Sequence, residues 1–175
     1  MINRRIESIT EGILKELNIT SAKKIDVKKI CKSCGVDVKP ENLDVDVSGL
    51  FVIKQKGAYI RYNNNEAPLR QKFTIAHEFG HFVLHKDTPL FISKNDKIMY
   101  RNLESSTGEI QREREANSFA ASLLMPRKFI IEEINKTPKK IKNPVSHLAK
   151  TFGVSEQAMT FRLANLGFDI GLINY

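Results

Sequence analysis

The segment FTIAHEFGHFVLH, residues 73–85, sets His77, Glu78 and His81 in the spacing HExxH on what reads as one helix. At 3.6 residues per turn the two histidines fall one turn apart on one face, close enough to grip a single divalent ion. Glu78 stands beside the first of them, where a carboxylate takes the proton from the attacking water in zinc hydrolases. Phe73, Ala76, Gly80 and Leu84 recur at helical spacing, which places the histidines on a partly buried helix. Buried imidazoles need partners, and a metal ion supplies one. The five-letter motif also arises by chance, so the residues around it must carry the case. His85 continues the same side, but three histidines on successive turns spread over about 12 Å, too far for one ion. It reads as a structural residue or as a partner of a ligand.

Composition allows an ordinary soluble fold. The chain has 175 residues, 41% hydrophobic and 27% charged, enough to bury a core without staples. No apolar run approaches the roughly 20 residues that cross a bilayer, and the start, MINRRIESIT, lacks a secretory core. The expectation is a cytoplasmic protein. Its net charge of +8 sits at the two ends, with residues 66–125 neutral. Such a balance suits nucleic acid or an acidic partner and is also common on solvated surfaces. Cys31 and Cys34 form the one CxxC pair; a four-thiolate zinc site needs a second pair, so packing is the reading.

Outward from the motif, Ile2, Ile6, Ile9, Ile13 and Leu17 predict an amphipathic helix over 2–17. Asp26 is an N-cap for a short helix that ends at Gly35, and Val36–Val38 begin a strand. Residues 39–48 read as a loop. The runs 49–54 and 58–62 flank Gln55, Lys56 and Gly57 as a hairpin, whose exposed edge would suit an extended peptide. Asn65 is a candidate cap, with Pro68 in the first turn, for a helix over 66–85. A small hairpin, 91–93 with 97–100, is expected before Ser106 and Glu109, a capping box opening a helix that runs to Met125.

That last helix offers the missing ligand. A catalytic zinc usually takes three protein ligands and keeps one position open. The extended motif with a third histidine is absent, since Leu84 and Asp87 stand where its glycine and histidine belong. Glu113 and Glu115 are the carboxylate candidates, about 200° apart around the axis, so one alone can face the ion. Glu113 shares its face with Asn117, Ala120 and Leu124, where small residues permit close packing and Asn117 can hold a ligand histidine. Glu113 is the better placed; the alternative leaves both glutamates solvated in the run RERE.

The blocks RQKFTIAHEFGHFVLH (70–85) and EREANSFAASLLMP (113–126) resemble the ImmA/IrrE family of bacterial and phage metallopeptidases. The resemblance implies His77, His81 and Glu113 as zinc ligands, Glu78 as the catalytic carboxylate, and a fold similar to thermolysin-like zinc peptidases. It also implies a substrate, a repressor with a helix-turn-helix domain, whose cleavage switches on phage, mobile-element or stress genes.

The C-terminal stretch is basic, with a short helix over 128–135. VSHLAKTFGVSEQAMTFRLANLGF, from Val145, reads as two helices about Gly153 in helix-turn-helix spacing, with Ser155 as a cap. Glu156, Gln157, Thr160 and Arg162 are its candidates for touching DNA, a thin set that favours a packing unit or a surface that meets a repressor.

The reading is an α+β protein. Residues 1–126 form a mainly helical, zincin-like metallopeptidase domain, with a small antiparallel sheet packed on the HExxH helix. Residues 127–175 form a helix-turn-helix-like unit, as a second domain or packed into the first. One zinc ion, with manganese as the alternative, would serve an endopeptidase whose partner is a DNA-binding repressor. The alternative is a metal-binding regulator or anti-repressor that binds DNA or a repressor without hydrolysis. An inactive interaction module leaves Glu78 without a purpose. Tyr59, Tyr62, Tyr100 and His147 are the candidates for a second donor to the oxyanion.

Overall fold

The computed structural model describes residues 2–85, 90–94, 103–137 and 141–169, the side chains of 90–94 and 103–107 excepted. The chain is α+β and forms two compact units, residues 26–120 and residues 1–25 with 121–175. None of the described helices is long and apolar enough to cross a membrane.

In the unit of residues 26–120, α2 (Val27–Ser33), the second α-helix along the chain, is capped by Asp26, whose side chain accepts from the Lys29 N–H at 3.2 Å. Gly35, at φ +79°, turns the chain out of that helix into β1 (Val36–Glu41). Cys31 is fully buried, and burial pushes its thiol well above the usual range, as a packing residue requires. Strands β2 (Val47–Lys54) and β3 (Gly57–Asn63) form the expected hairpin, with Phe51 opposite Ile60 and both fully buried.

The sheet order is β1-β3-β2-β4, and it departs from the expected antiparallel sheet because β1 runs parallel to β3. The segment between β1 and β2 crosses the end of β3 to make this possible. Asn63, the last residue of β3, holds the crossing: its buried Nδ2 lies 3.3, 3.2 and 2.9 Å from the carbonyls of Leu43, Asp44 and Val47. Residues 39–41, expected in a loop, are thereby strand. β4 (Leu90–Lys94) pairs antiparallel with β2; the other arm of the expected small hairpin, 97–100, lies outside the described residues.

Helix α3 (Pro68–Leu84) packs on β2 and β3. Its cap position is Ala67, not Asn65, and Pro68 occupies the first turn, where its missing N–H costs nothing. Helix α4 (Leu103–Leu124) starts three residues before Ser106, so the anticipated capping box lies inside the helix. Gly80 is the point where α3 meets α4: a Cβ there would stand 3.2 Å from Ala116 Cα and from Phe119 Cβ. Phe79 meets Phe119 edge-on at 5.7 Å beside that approach.

In the other unit, α1 (Arg4–Glu16) turns Ile6, Thr10 and Leu14 inward. The inward line is rotated from the expected Ile9 and Ile13 because Thr10 has a partner, the Ser122 hydroxyl at 2.6 Å. Helices α5 (Arg127–Lys136), α6 (Pro144–Phe152) and α7 (Glu156–Asn165) follow. Gly153, at φ +60°, turns the chain between α6 and α7, and the Ser155 side chain accepts from the Ala158 N–H at 3.1 Å. Arg162 is buried and makes a forked pair with Glu7 at 2.6 and 2.9 Å; its Nε donates to the Met125 carbonyl at 2.9 Å.

Candidate metal centre

Helix α3 presents His77 and His81 from one face, and α4 brings Glu113 to both. The two Nε2 atoms are 3.1 Å apart. Glu113 Oε2 lies 3.2 Å from His77 Nε2, and its Oε1 lies 3.2 Å from His81 Nε2. The three ligand atoms fall within 4.8 Å of one another. Donors about 2 Å from a tetrahedral ion stand about 3.3 Å apart, so the spacing suits a zinc-sized ion with a fourth position left over.

The rest of each ring explains why these atoms point inward. Asn117, one turn beyond Glu113 on α4, sets its Oδ1 3.0 Å from His77 Nδ1. With the ring proton donated there, Nε2 keeps its lone pair for a metal. His81 Nδ1 lies 3.2 Å from His85 Nδ1, and His85 Nε2 lies 2.9 Å from Glu115 Oε2. Both glutamates of RERE are therefore engaged by α3 histidines. The His85–Glu115 pair is the feature that sequence reasoning passed over, although the 81–85 spacing and the 200° separation of the glutamates both point to it.

Electrostatics agree with the donor set. Burial alone would hold the His77 imidazolium down, but the Glu113 hydrogen bond, the charges of Glu78 and Glu113 and the Asn117 contact leave its pKa raised. Burial, aided by the neighbouring His77 and His85, outweighs Glu113 at His81 and lowers its pKa. Burial raises Glu113, yet the hydrogen bonds and charges of both histidines hold its carboxyl well below the usual range. The ionised Glu113 carboxylate therefore faces a neutral His81 and a His77 that holds its proton more tightly.

Glu78 is fully buried. Strand β2 lies against it through Gly49, where a Cβ would stand 3.3 Å from Glu78 Cγ and 2.5 Å from Thr74 Cγ2. Of the oxyanion candidates, the Tyr62 hydroxyl accepts from Lys28 at 2.7 Å, and the Tyr59 ring lies under the Arg61 guanidinium. Tyr100 falls outside the described residues.

The profile of peptidase M78, the IrrE N-terminal-like domain, matches residues 31–164. The chain belongs to this family. The matched span contains both motif blocks and every IrrE-like site residue named above. Uncharacterized immunity region protein 2 of Bacillus phage phi105 is 31% identical over 91 residues, 52% of either chain, so the match spans about half the length of that relative. A solved structure titled Mycobacterium tuberculosis transcriptional regulator matches with a TM-score of 0.65 and 18% identity, over 93% of this chain and 47% of its own. At that identity the likeness speaks for the fold alone.

Proposed function

We propose that this chain is a zinc-dependent endopeptidase that cleaves a DNA-binding repressor and so releases the genes it silences. One observation carries the reading: His77, His81 and Glu113 converge at metal-ligand spacing beside the buried carboxylate of Glu78. A bound ion would polarise a peptide carbonyl and make a water acidic enough to attack near neutral pH. Glu78 accepts the proton from that water and returns it to the departing amine. Glu113 and the two imidazoles would hold the ion, while Asn117 favours the His77 tautomer that can bind it. Zinc suits the nitrogen-rich set, with manganese the second choice.

The family supports a peptidase, and the phage relative's place in an immunity region supports control of a repressor. In this reading residues 1–126 form the zincin-like part of a cytoplasmic protein, and residues 127–175 form a helix-turn-helix-like unit that meets the repressor. Direct DNA reading by the helix-turn-helix-like pair is disfavoured by its surface. α7 exposes Glu156, Gln157 and Phe161, whereas Arg162, its expected cationic contact, is buried against Glu7. The regulator that binds without hydrolysis is the rival.

The deciding experiment mixes the zinc-loaded protein with the repressor encoded beside its gene, with and without a chelator, and follows fragments on a gel. Glu78→Gln is expected to retain zinc and to slow cleavage by about 10²-fold or more. Cleavage at the wild-type rate by that variant would overturn the mechanism, and an intact repressor with loaded wild type favours the rival.

A further inference from the structure

We propose that His85 and Glu115 are positioning residues for the metal centre, a relay that fixes the ring and tautomer of His81. The inference rests on the metal-binding reading of His77, His81 and Glu113. His81 is fully buried, and its Nδ1 faces the Nδ1 of buried His85 at 3.2 Å. The second nitrogen of His85 meets Glu115 Oε2 at 2.9 Å, and the other oxygen of that carboxylate receives Gln111 Nε2 at 2.8 Å.

The protons can be placed by elimination. A metal at His81 Nε2 needs the lone pair there, so the ring proton sits on Nδ1 and is donated to His85. His85 must then accept at Nδ1, which puts its own proton on Nε2, facing a carboxylate that can only accept. Each contact becomes a donor–acceptor pair with both rings neutral. A carboxylate bound straight to a ligand histidine is the usual way to orient one; here a second imidazole spans the gap. Two chain features create the relay. His85 lies one turn after His81, where α3 ends, its N–H still bonded to the His81 carbonyl at 2.9 Å. Glu115, two residues after Glu113, leaves α4 on the side that Glu113 does not use.

The test pairs zinc affinity, measured by competition with a chromogenic chelator, with nitrogen-15 NMR of the ring protonation sites. His85→Leu is expected to weaken zinc binding by about 10–100-fold. His85→Gln, whose amide can accept from His81 and donate to Glu115, should stay within about threefold of wild type, because partner geometry rather than the imidazole itself is what the relay supplies. Glu115→Gln should fall between them. The spectra should show His81 protonated at Nδ1 and His85 at Nε2. Affinity of His85→Leu within threefold of wild type, equal losses for Leu and Gln, or His85 protonated at Nδ1 overturns the relay. Should His85→Leu fail to fold, the Gln variants and the wild-type spectra decide. A wild type that binds no zinc sinks the metal reading and the relay that rests on it, an outcome distinct from a zinc-binding wild type matched by His85→Leu.

Discussion

His77 divides its two nitrogens between residues one turn apart on α4, Asn117 at Nδ1 and Glu113 at Nε2. Removing the Asn117 carbonyl should free the ring to turn or change tautomer. Asn117→Ala is expected to lower zinc affinity by about tenfold or more, read by chelator competition, while the fold stays intact because this residue is exposed. The raised pKa of His77 sets the pH behaviour. Without metal, its proton stabilises the fold fully below the unfolded value of about 6.5, and that contribution is lost as pH rises through the higher folded value. Metal binding has the opposite sign, because the ion must displace that proton. Apparent zinc affinity should therefore fall by up to about tenfold per pH unit below the His77 pKa. Glu113, held far down, adds no competing proton in that window. Melting curves between pH 6 and 8 should show the zinc-induced rise in Tm shrinking toward acid; a constant rise would exclude His77 as a ligand. The convergence of His77, His81 and Glu113 was legible at this scale because helical spacing puts HExxH on one face and narrows the carboxylate to Glu113 or Glu115. His85 and Glu115 were not paired, because the 81–85 spacing and the separation of the two glutamates are signals on different helices, and only the packing of α3 on α4 joins them.

Helices and the β2–β3 hairpin were the readable elements, and the non-local strand partners were not. The interval 66–85 anticipates α3 within two residues at each end, since its period is local. The parallel pairing of β1 depends on a crossing held by Asn63, and no alternation of side chains announces which neighbour a strand will choose. α4 begins ahead of Ser106 because a capping signature marks a helix start only when the preceding residues leave helical geometry. Gly80 is the element-scale test of the site. Replacing it with Ala gains about 1 kcal/mol of helix propensity, against a Cβ set 3.2 Å from Ala116 and Phe119. Gly80→Val adds two methyls to that approach and should destabilise by about 1–3 kcal/mol in urea unfolding. Because α4 carries Glu113, zinc affinity should fall along with it. A variant with full affinity and an unchanged urea midpoint would mean that the two helices do not need this contact.

At the scale of the whole chain, Arg162 changes role most. It was a candidate DNA contact, yet it is buried and bonded to Glu7, 155 residues away. No sequence window spans that distance. Glu7→Ala should cost about 3–5 kcal/mol by leaving a buried guanidinium without its carboxylate, whereas Arg162→Met, which removes the charge and keeps the length, should cost less. Denaturant midpoints of the two variants test this, and the reverse order would show the pair to be a minor contributor. The basic balance of the ends, legible from the sequence, does not extend to the exposed face of α7. The same pair imposes a schedule on synthesis. Glu7 leaves the ribosome 155 residues ahead of Arg162, an interval of roughly 8 to 30 s at ordinary translation rates. Throughout it α1 exists without the last of the helices that later cover it, while residues 26–120 are made in the meantime. Thr10 and Glu7, polar groups in the middle of its inward face, then have water as their partner, so the helix waits as a weakly adhesive one until its last contacts are made.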